Sequence, residues 1–156
     1  MLRKARISDV PAIHRLVNSS AEKGEMLPRS LAELYDNMRD YFVHTDGEKG
    51  RVTGACALHI CWENLGEIRS LCVDESSRRK GVGHELVRAC MDEARNFGLQ
   101  TLFVLTYRDS FFREFAFEEV EKTELPQKIW TDCIKCPKFP RCDEIAMVCR
   151  LERREG

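Results

Sequence analysis

The chain has 156 residues, of which 43% are hydrophobic and 33% charged. This is enough apolar material for one core, so a single domain over residues 1–156 is expected and a disordered chain is excluded. With 25 Lys+Arg against 26 Asp+Glu the formal net charge is −1, without the basic footprint of a nucleic-acid binder. No apolar run approaches the roughly 20 residues of a membrane span. The opening segment MLRKARISDVPAI has no apolar signal-peptide core, so a cytoplasmic location is expected.

In chain order, LRKARI (2–7) alternates enough for a first strand. Ser8 followed by Pro11 reads as a helix start. Val10, Ile13, Leu16 and Val17 then recur at helical spacing, and Gly24 closes the segment. Ser30 and Glu33 form a capping box ahead of a second helix whose stripe is Leu31, Leu34 and Met38. Residues 41–45 and 51–62 read as strands separated by the Asp46-Gly47 turn, with another strand at 67–73. Residues 81–97 are the clearest helix, with Val82, Leu86, Cys90, Ala94 and Phe97 on one stripe and Gly98 placed to end it. TLFVLT (101–106) reads as a strand buried on both faces. A short helix at 110–116 and closing strands at 117–121 and 144–151 complete a β-α-α-β-β-β-α-β-α-β-β order, an α/β mixture around one sheet.

The segment VDESSRRKGVGHEL (73–86) carries the most chemistry. A strand ends, a polar loop follows, and two glycines open an amphipathic helix. Glycines let a ligand approach the backbone closely, and a helix N-terminus offers unpaired N–H groups to a pyrophosphate. Arg78, Arg79 and Lys80 add positive charge there. A nucleotide-hydrolase P-loop fails, because Gly83 is followed by His84 and Glu85. A dinucleotide fingerprint fails, because its third glycine position is Leu86. An ordinary loop-to-helix connection with a solvated basic run is the alternative for the glycines alone.

The whole pattern, Arg78-x-x-Gly81-x-Gly83 after Leu71-Cys72-Val73, resembles the acetyl-CoA motif of the GNAT superfamily of N-acyltransferases. The resemblance implies a central mixed, mostly antiparallel sheet flanked by helices. It implies acetyl-CoA as co-substrate, its pyrophosphate on the backbone of Arg78, Arg79, Lys80, Gly81, Val82, Gly83 and His84. Leu71, Cys72 and Val73 would line the pantetheine arm where their strand splays from TLFVLT, and a backbone amide of that strand would polarise the thioester carbonyl. Gly81 and Gly83 are expected to be intolerant of bulky side chains.

RKARISDVPAIHRL, GEMLPRSLAELYDNMRDYFV, GEIRSLCV and LFVLTYRDSFFREFAFEEV resemble more narrowly the bacterial amino-acid N-acetyltransferases that make N-acetylglutamate, in their short stand-alone form, as does ELPQKIWTDCIKCPKFPRCDEIAMV. Ala116 departs from the usual Gly before Phe. The implied reaction is direct acetyl transfer to the α-amine of L-glutamate in a ternary complex, the first step of arginine biosynthesis. Glu67 matches the family's proposed base, and a surface carboxylate at a strand start is its plain alternative. Tyr107 is placed to protonate the departing thiolate, with Thr106 as rival and a core tyrosine as the plain alternative. Two carboxylates call for cations: Arg29 first, then Arg69 and Arg113, with Arg108 and Lys128 weaker. Other amines (a polyamine, an antibiotic, a protein N-terminus) and a non-catalytic acyl-CoA- or metal-sensing module are the competing readings. The expected partner is a small-molecule amine, with no nucleic acid and no membrane; a homodimer is left open.

Eight cysteines are many for this length. Without an export signal they read as thiols or metal ligands. Cys56, Cys61, Cys72 and Cys90 sit in apolar runs as small hydrophobes. Cys133, Cys136 and Cys142, in a Cys-rich loop at 130–143 with Pro137 and Pro140, have zinc-ligand spacing. A structural zinc there needs a fourth ligand, from Cys149, Cys61 or a His; a reduced thiol cluster or one disulfide are the alternatives.

Overall fold

The computed structural model describes residues 1–125 and 144–151. Seven strands form one sheet: β1 (Leu2–Lys4), β2 (Tyr41–Thr45), β3 (Val52–Trp62), β4 (Leu65–Val73), β5 (Thr101–Thr106), β6 (Glu118–Val120) and β7 (Ile145–Arg150). Their order across the sheet is β1-β2-β3-β4-β5-β7-β6. Every neighbouring pair is antiparallel except β4 with β5, which is parallel. The helices are α1 (Val10–Glu22), α2 (Leu31–Asp36), α3 (Val82–Phe97) and α4 (Asp109–Arg113).

Alternation along the strands sends apolar side chains into cores on both faces of the sheet. Cys56 and Leu58 of β3 and Ile68 of β4 pack with Val82, Leu86, Cys90 and Ala94 of α3. Ala55 and Ala57, one residue out of phase, join Val10, Ile13 and Val17 of α1 and Leu34 of α2. The sheet is therefore covered by α3 on one face and by α1 and α2 on the other. Burying side chains of this size contributes about 1.5–3 kcal/mol each. Cys56, Cys72 and Cys90 are buried as small hydrophobes. Their surroundings make them inert: a hydrogen bond with Cys90, then burial, pushes the Cys56 thiol well up, and burial pushes that of Cys72 up to about 12.

Several boundaries differ from the sequence reading. The first strand ends at Lys4, and a one-turn 3-10 helix (Ile7–Asp9) precedes α1. The organising residue there is Asp9 rather than Ser8. Its Oδ2 accepts the Arg6 N–H at 2.7 Å and its carboxylate takes the Arg3 guanidinium in a fork at 2.7 and 3.0 Å. The Arg3 hydrogen bonds hold that carboxyl below its usual range. Ser30 does cap α2, accepting the Glu33 N–H at 3.1 Å. Leu34 is buried, but Leu31 is exposed and Met38 lies beyond the helix. The stripe of α3 stops at Ala94: Phe97 is 58% exposed, because the chain turns at Gly98 (φ +81°) and Leu99 enters the core instead.

Candidate active site

The site is made by a defect in β4. Ala55 pairs with Cys72 and Ala57 with Arg69, so Ser70 and Leu71 together face the single residue Cys56. This is a β-bulge, and Ser70 takes a left-handed φ of +58° to form it. That conformation costs a non-glycine residue about 1–2 kcal/mol. The Tyr41 phenol, buried and hydrogen-bonded with Ser70, buttresses it. Burial pushes that phenol above its usual range, against the opposing effects of Ser70, Arg29 and Arg69.

The consequence is an opening. β4 and β5 pair only through Leu65–Thr101, Gly66–Leu102 and Glu67–Phe103. From Ile68 to Val73 no residue of β4 pairs with β5, so the two strands diverge as expected. The gap is a cleft of about 330 Å³, lined by Glu67 to Leu71 of β4, Val104 to Arg108 at the end of β5, and Glu25, Met26, Leu27 and Arg29 of the α1–α2 loop.

Glu67 stands where the pairing ends. Its Oε1 lies 3.2 Å from Nε of Arg69, and both side chains are 14% exposed. Arg69 is thus engaged with the carboxylate beside it. Tyr107, 38% exposed, and Thr106, buried, both line the far wall. The Thr106 hydroxyl accepts the Arg108 N–H at 2.9 Å, which holds the turn after β5.

Arg29 also lines the cleft, 3.3 Å from Glu33. Its backbone is clamped from α1: Asn18 Nδ2 donates to the Arg29 carbonyl at 3.0 Å, and Asn18 Oδ1 accepts the Arg29 N–H at 3.3 Å. Arg113 is not brought to the cleft. Half-exposed at the end of α4, it pairs with Asp109 at 3.6 Å and Glu119 at 3.5 Å. Arg108, the weaker candidate from sequence, does line the cleft. Lys128, Cys133, Cys136 and Cys142 lie outside the described residues, among which no group of three or more His, Cys, Asp or Glu is gathered to hold a metal. Cys149, a suggested fourth ligand, is buried with its thiol on the Phe115 carbonyl at 3.6 Å, and burial raises its pKa.

At the end of β4 the backbone of the next loop is set by two left-handed residues, Arg79 (φ +68°) and Gly81 (φ +79°), with Gly81 as the N-cap of α3. A side chain at Gly81 would meet no protein atom within 4 Å, so backbone conformation, not crowding, calls for glycine there. A Cβ at Gly83 would instead touch Phe111 at 3.5 Å and Val73 at 3.9 Å. Only the backbone of His84 belongs to this cradle. Its imidazole is 2.7 Å from Glu114 and packs edge-on against Phe111. Arg78 Nε donates to the Val73 carbonyl at 3.4 Å. Leu71 lines the cleft, while Cys72 turns into the α1 core and Val73 packs toward α3. The unpaired strand edge and the glycine-opened helix together suit an extended thioester carrying a pyrophosphate.

Sequence reasoning did not find the bulge, Asn18, or the cleft residues Glu25 and Glu144. The bulge had a signal. In GEIRSLCV the polar/apolar alternation runs through Arg69 and then slips phase at Ser70-Leu71.

Comparison with known proteins places these features. The sequence pattern of the acetyltransferase (GNAT) family matches residues 10–117. An uncharacterized N-acetyltransferase of Chlorobaculum tepidum is 44% identical over 147 residues, 94% of both chains. An amino-acid acetyltransferase of Mycobacterium tuberculosis is 39% identical over 85% of this chain and 76% of its own length. Among solved structures, N-acetylglutamate synthase from Neisseria gonorrhoeae, complexed with coenzyme A and N-acetyl-glutamate, superposes with a TM-score of 0.87 at 27% identity. That match covers 98% of this chain and 35% of the other.

Proposed function

The chain belongs to the GNAT family of acetyltransferases, and from that premise we propose that it acetylates the α-amino group of L-glutamate with acetyl-CoA. The observation that carries this reading is the coincidence, in one cleft, of Glu67 at the fork of β4 and β5 with Arg29 on the opposing loop. The relatives' amino-acid acetyltransferase name, and the neighbour holding coenzyme A with N-acetyl-glutamate, support the acceptor and the co-substrate.

Acetyl-CoA supplies the thioester that is cleaved. Loop residues Arg78–His84 hold its pyrophosphate through backbone N–H groups. The unpaired edge of β4 past the bulge receives the pantetheine, and a backbone amide of that edge donates to the thioester carbonyl as charge develops on its oxygen. Glu67 takes a proton from the ammonium group of the acceptor, because only the neutral amine can attack. The N–C bond forms, the C–S bond breaks, the Tyr107 hydroxyl gives its proton to the departing sulfur, and the second proton that the nitrogen sheds as the amide forms restores the phenol. The exposed position of Tyr107 favours it over Thr106, whose hydroxyl is buried and holds the turn. Arg29 takes one acceptor carboxylate and Arg108 the other, since an unpaired buried charge would be costly. Formation of N-acetylglutamate belongs to the start of arginine synthesis.

Release of the CoA thiol, measured across amino acids, polyamines and peptide N-termini with the product identified by mass, tests the assignment. Glutamate should have the highest kcat/KM, ahead of glutamine and aspartate. A polyamine or peptide ranking first would overturn the acceptor.

A further inference from the structure

Once Glu67 has taken the amine's proton it must lose it before the next turnover, and the cleft is then filled by acceptor and thioester. The Glu67 side chain is only 14% exposed, so the way out runs along the sheet. Among the described residues, four sheet positions flank Glu67 on its own face. They are Leu65 and Arg69 two positions away on β4, Phe103 across on β5 and His59 across on β3. Leucine and phenylalanine carry no titratable group, and a guanidinium has no acceptor. His59 is the one member of this set able to take up a proton.

His59 pairs directly with Glu67 in the antiparallel register. Side chains at such positions stand on one face with their Cβ atoms about 4.5–5.5 Å apart. The imidazole is fixed from behind: Nδ1 is 2.7 Å from Oδ2 of Asp40, in the 3-10 turn that leads into β2. A carboxylate only accepts, so Nδ1 carries the hydrogen, and in the neutral imidazole Nε2 keeps its lone pair. Neither residue lines the substrate cleft, and the His59 side chain is 32% exposed. The imidazole thus stands at the strand position paired with the base and reaches solvent.

We propose that His59, held by Asp40, is the proton exit of Glu67. The inference rests on Glu67 being the base. The proton moves from the Glu67 carboxyl to His59 Nε2, and the imidazolium, steadied by Asp40, returns it to water. No other bond changes. His59 acts through Glu67 and is a positioning and relay residue without contact to substrate.

The test is kinetics with chemical rescue. His59→Ala should lower kcat about tenfold or more and leave the KM for acetyl-CoA within twofold. Added imidazole should restore part of the rate saturably, which a merely structural role would not allow. His59→Gln keeps a donor toward Asp40 but cannot relay, and carries the test if the alanine variant fails to fold; it too should be slow. In a Glu67→Gln background, His59→Ala should cause no further loss and imidazole no gain. Either His59 variant within twofold of wild type, beside a crippled Glu67→Gln enzyme, would overturn the relay and leave the base standing. A Glu67→Gln enzyme at full speed would remove the base itself, and the relay with it.

Discussion

The loop after β4 and the loop after α1 are tied together by the Lys23–Glu75 and Glu25–Arg78 ion pairs, yet they are held in place differently. Residues 74–81 are shaped by their own backbone: Arg79 and Gly81 are left-handed, and Gly81 turns directly into α3. Residues 23–30 begin at a left-handed Gly24 (φ +75°) and past it are held by side chains: Asn18 grips both backbone groups of Arg29, and Ser30 and Glu33 secure the entry to α2. A backbone-built site tolerates change around it as long as its special residues keep their spacing. A side-chain-built site can be retuned one contact at a time. This division suits a family in which the thioester donor is common and the acceptor varies.

Substitutions on either side should therefore separate cleanly. Gly83→Val should set a branched side chain against Phe111 and Val73 at the start of α3. Calorimetry should find CoA binding weakened by about tenfold or more, the equivalent of ~1.4 kcal/mol; unchanged affinity would take the pyrophosphate away from this loop. Arg29→Ala should leave the KM for acetyl-CoA within twofold and raise that for glutamate about 10- to 100-fold, since a hydrogen bond to a charged group is worth about 1.5–3 kcal/mol. An equal effect on both substrates would erase the distinction.

The same contrast explains what could be read from the residues alone. The loop after β4 was readable because left-handed backbone at the start of α3 favours glycine, so that requirement surfaces as Gly81. The strands were readable from alternation and α3 from its stripe up to Ala94. Phe97 misled because it keeps the helical period up to the last residue of α3, while the turn at Gly98 sends Leu99 into the core in its place. On the acceptor side, Arg113 and Arg108 carry the same charge five residues apart. Nothing local says that Asp109 and Glu119 draw the first away while the turn after β5 leaves the second at the cleft. Asn18 is one more polar residue on a helix until Arg29 is folded over it.

Two smaller effects sharpen the comparison. Asn18→Ala should loosen the Arg29 loop and raise the glutamate KM several-fold, about 1 kcal/mol for lost hydrogen bonds. An unchanged KM would mean that the loop holds itself. Ala116→Gly is the control for backbone-set positions remote from both loops. Ala116 has φ +65° after α4, where the sequence departs from the family's glycine. Relieving that conformation should raise Tm by about 2–4 °C, for ~1 kcal/mol, with neither KM altered. A lowered Tm would show that the alanine side chain contributes more than its strain costs.

In the proposed reaction Glu67, at the fork of β4 and β5, deprotonates the acceptor amine. Measuring kcat of Glu67→Gln with acetyl-CoA and glutamate both saturating tests it most directly, because the substitution keeps shape and removes the basic oxygen. The account predicts a fall of about 10²- to 10⁴-fold with CoA affinity unchanged; a kcat within about twofold of wild type would contradict it.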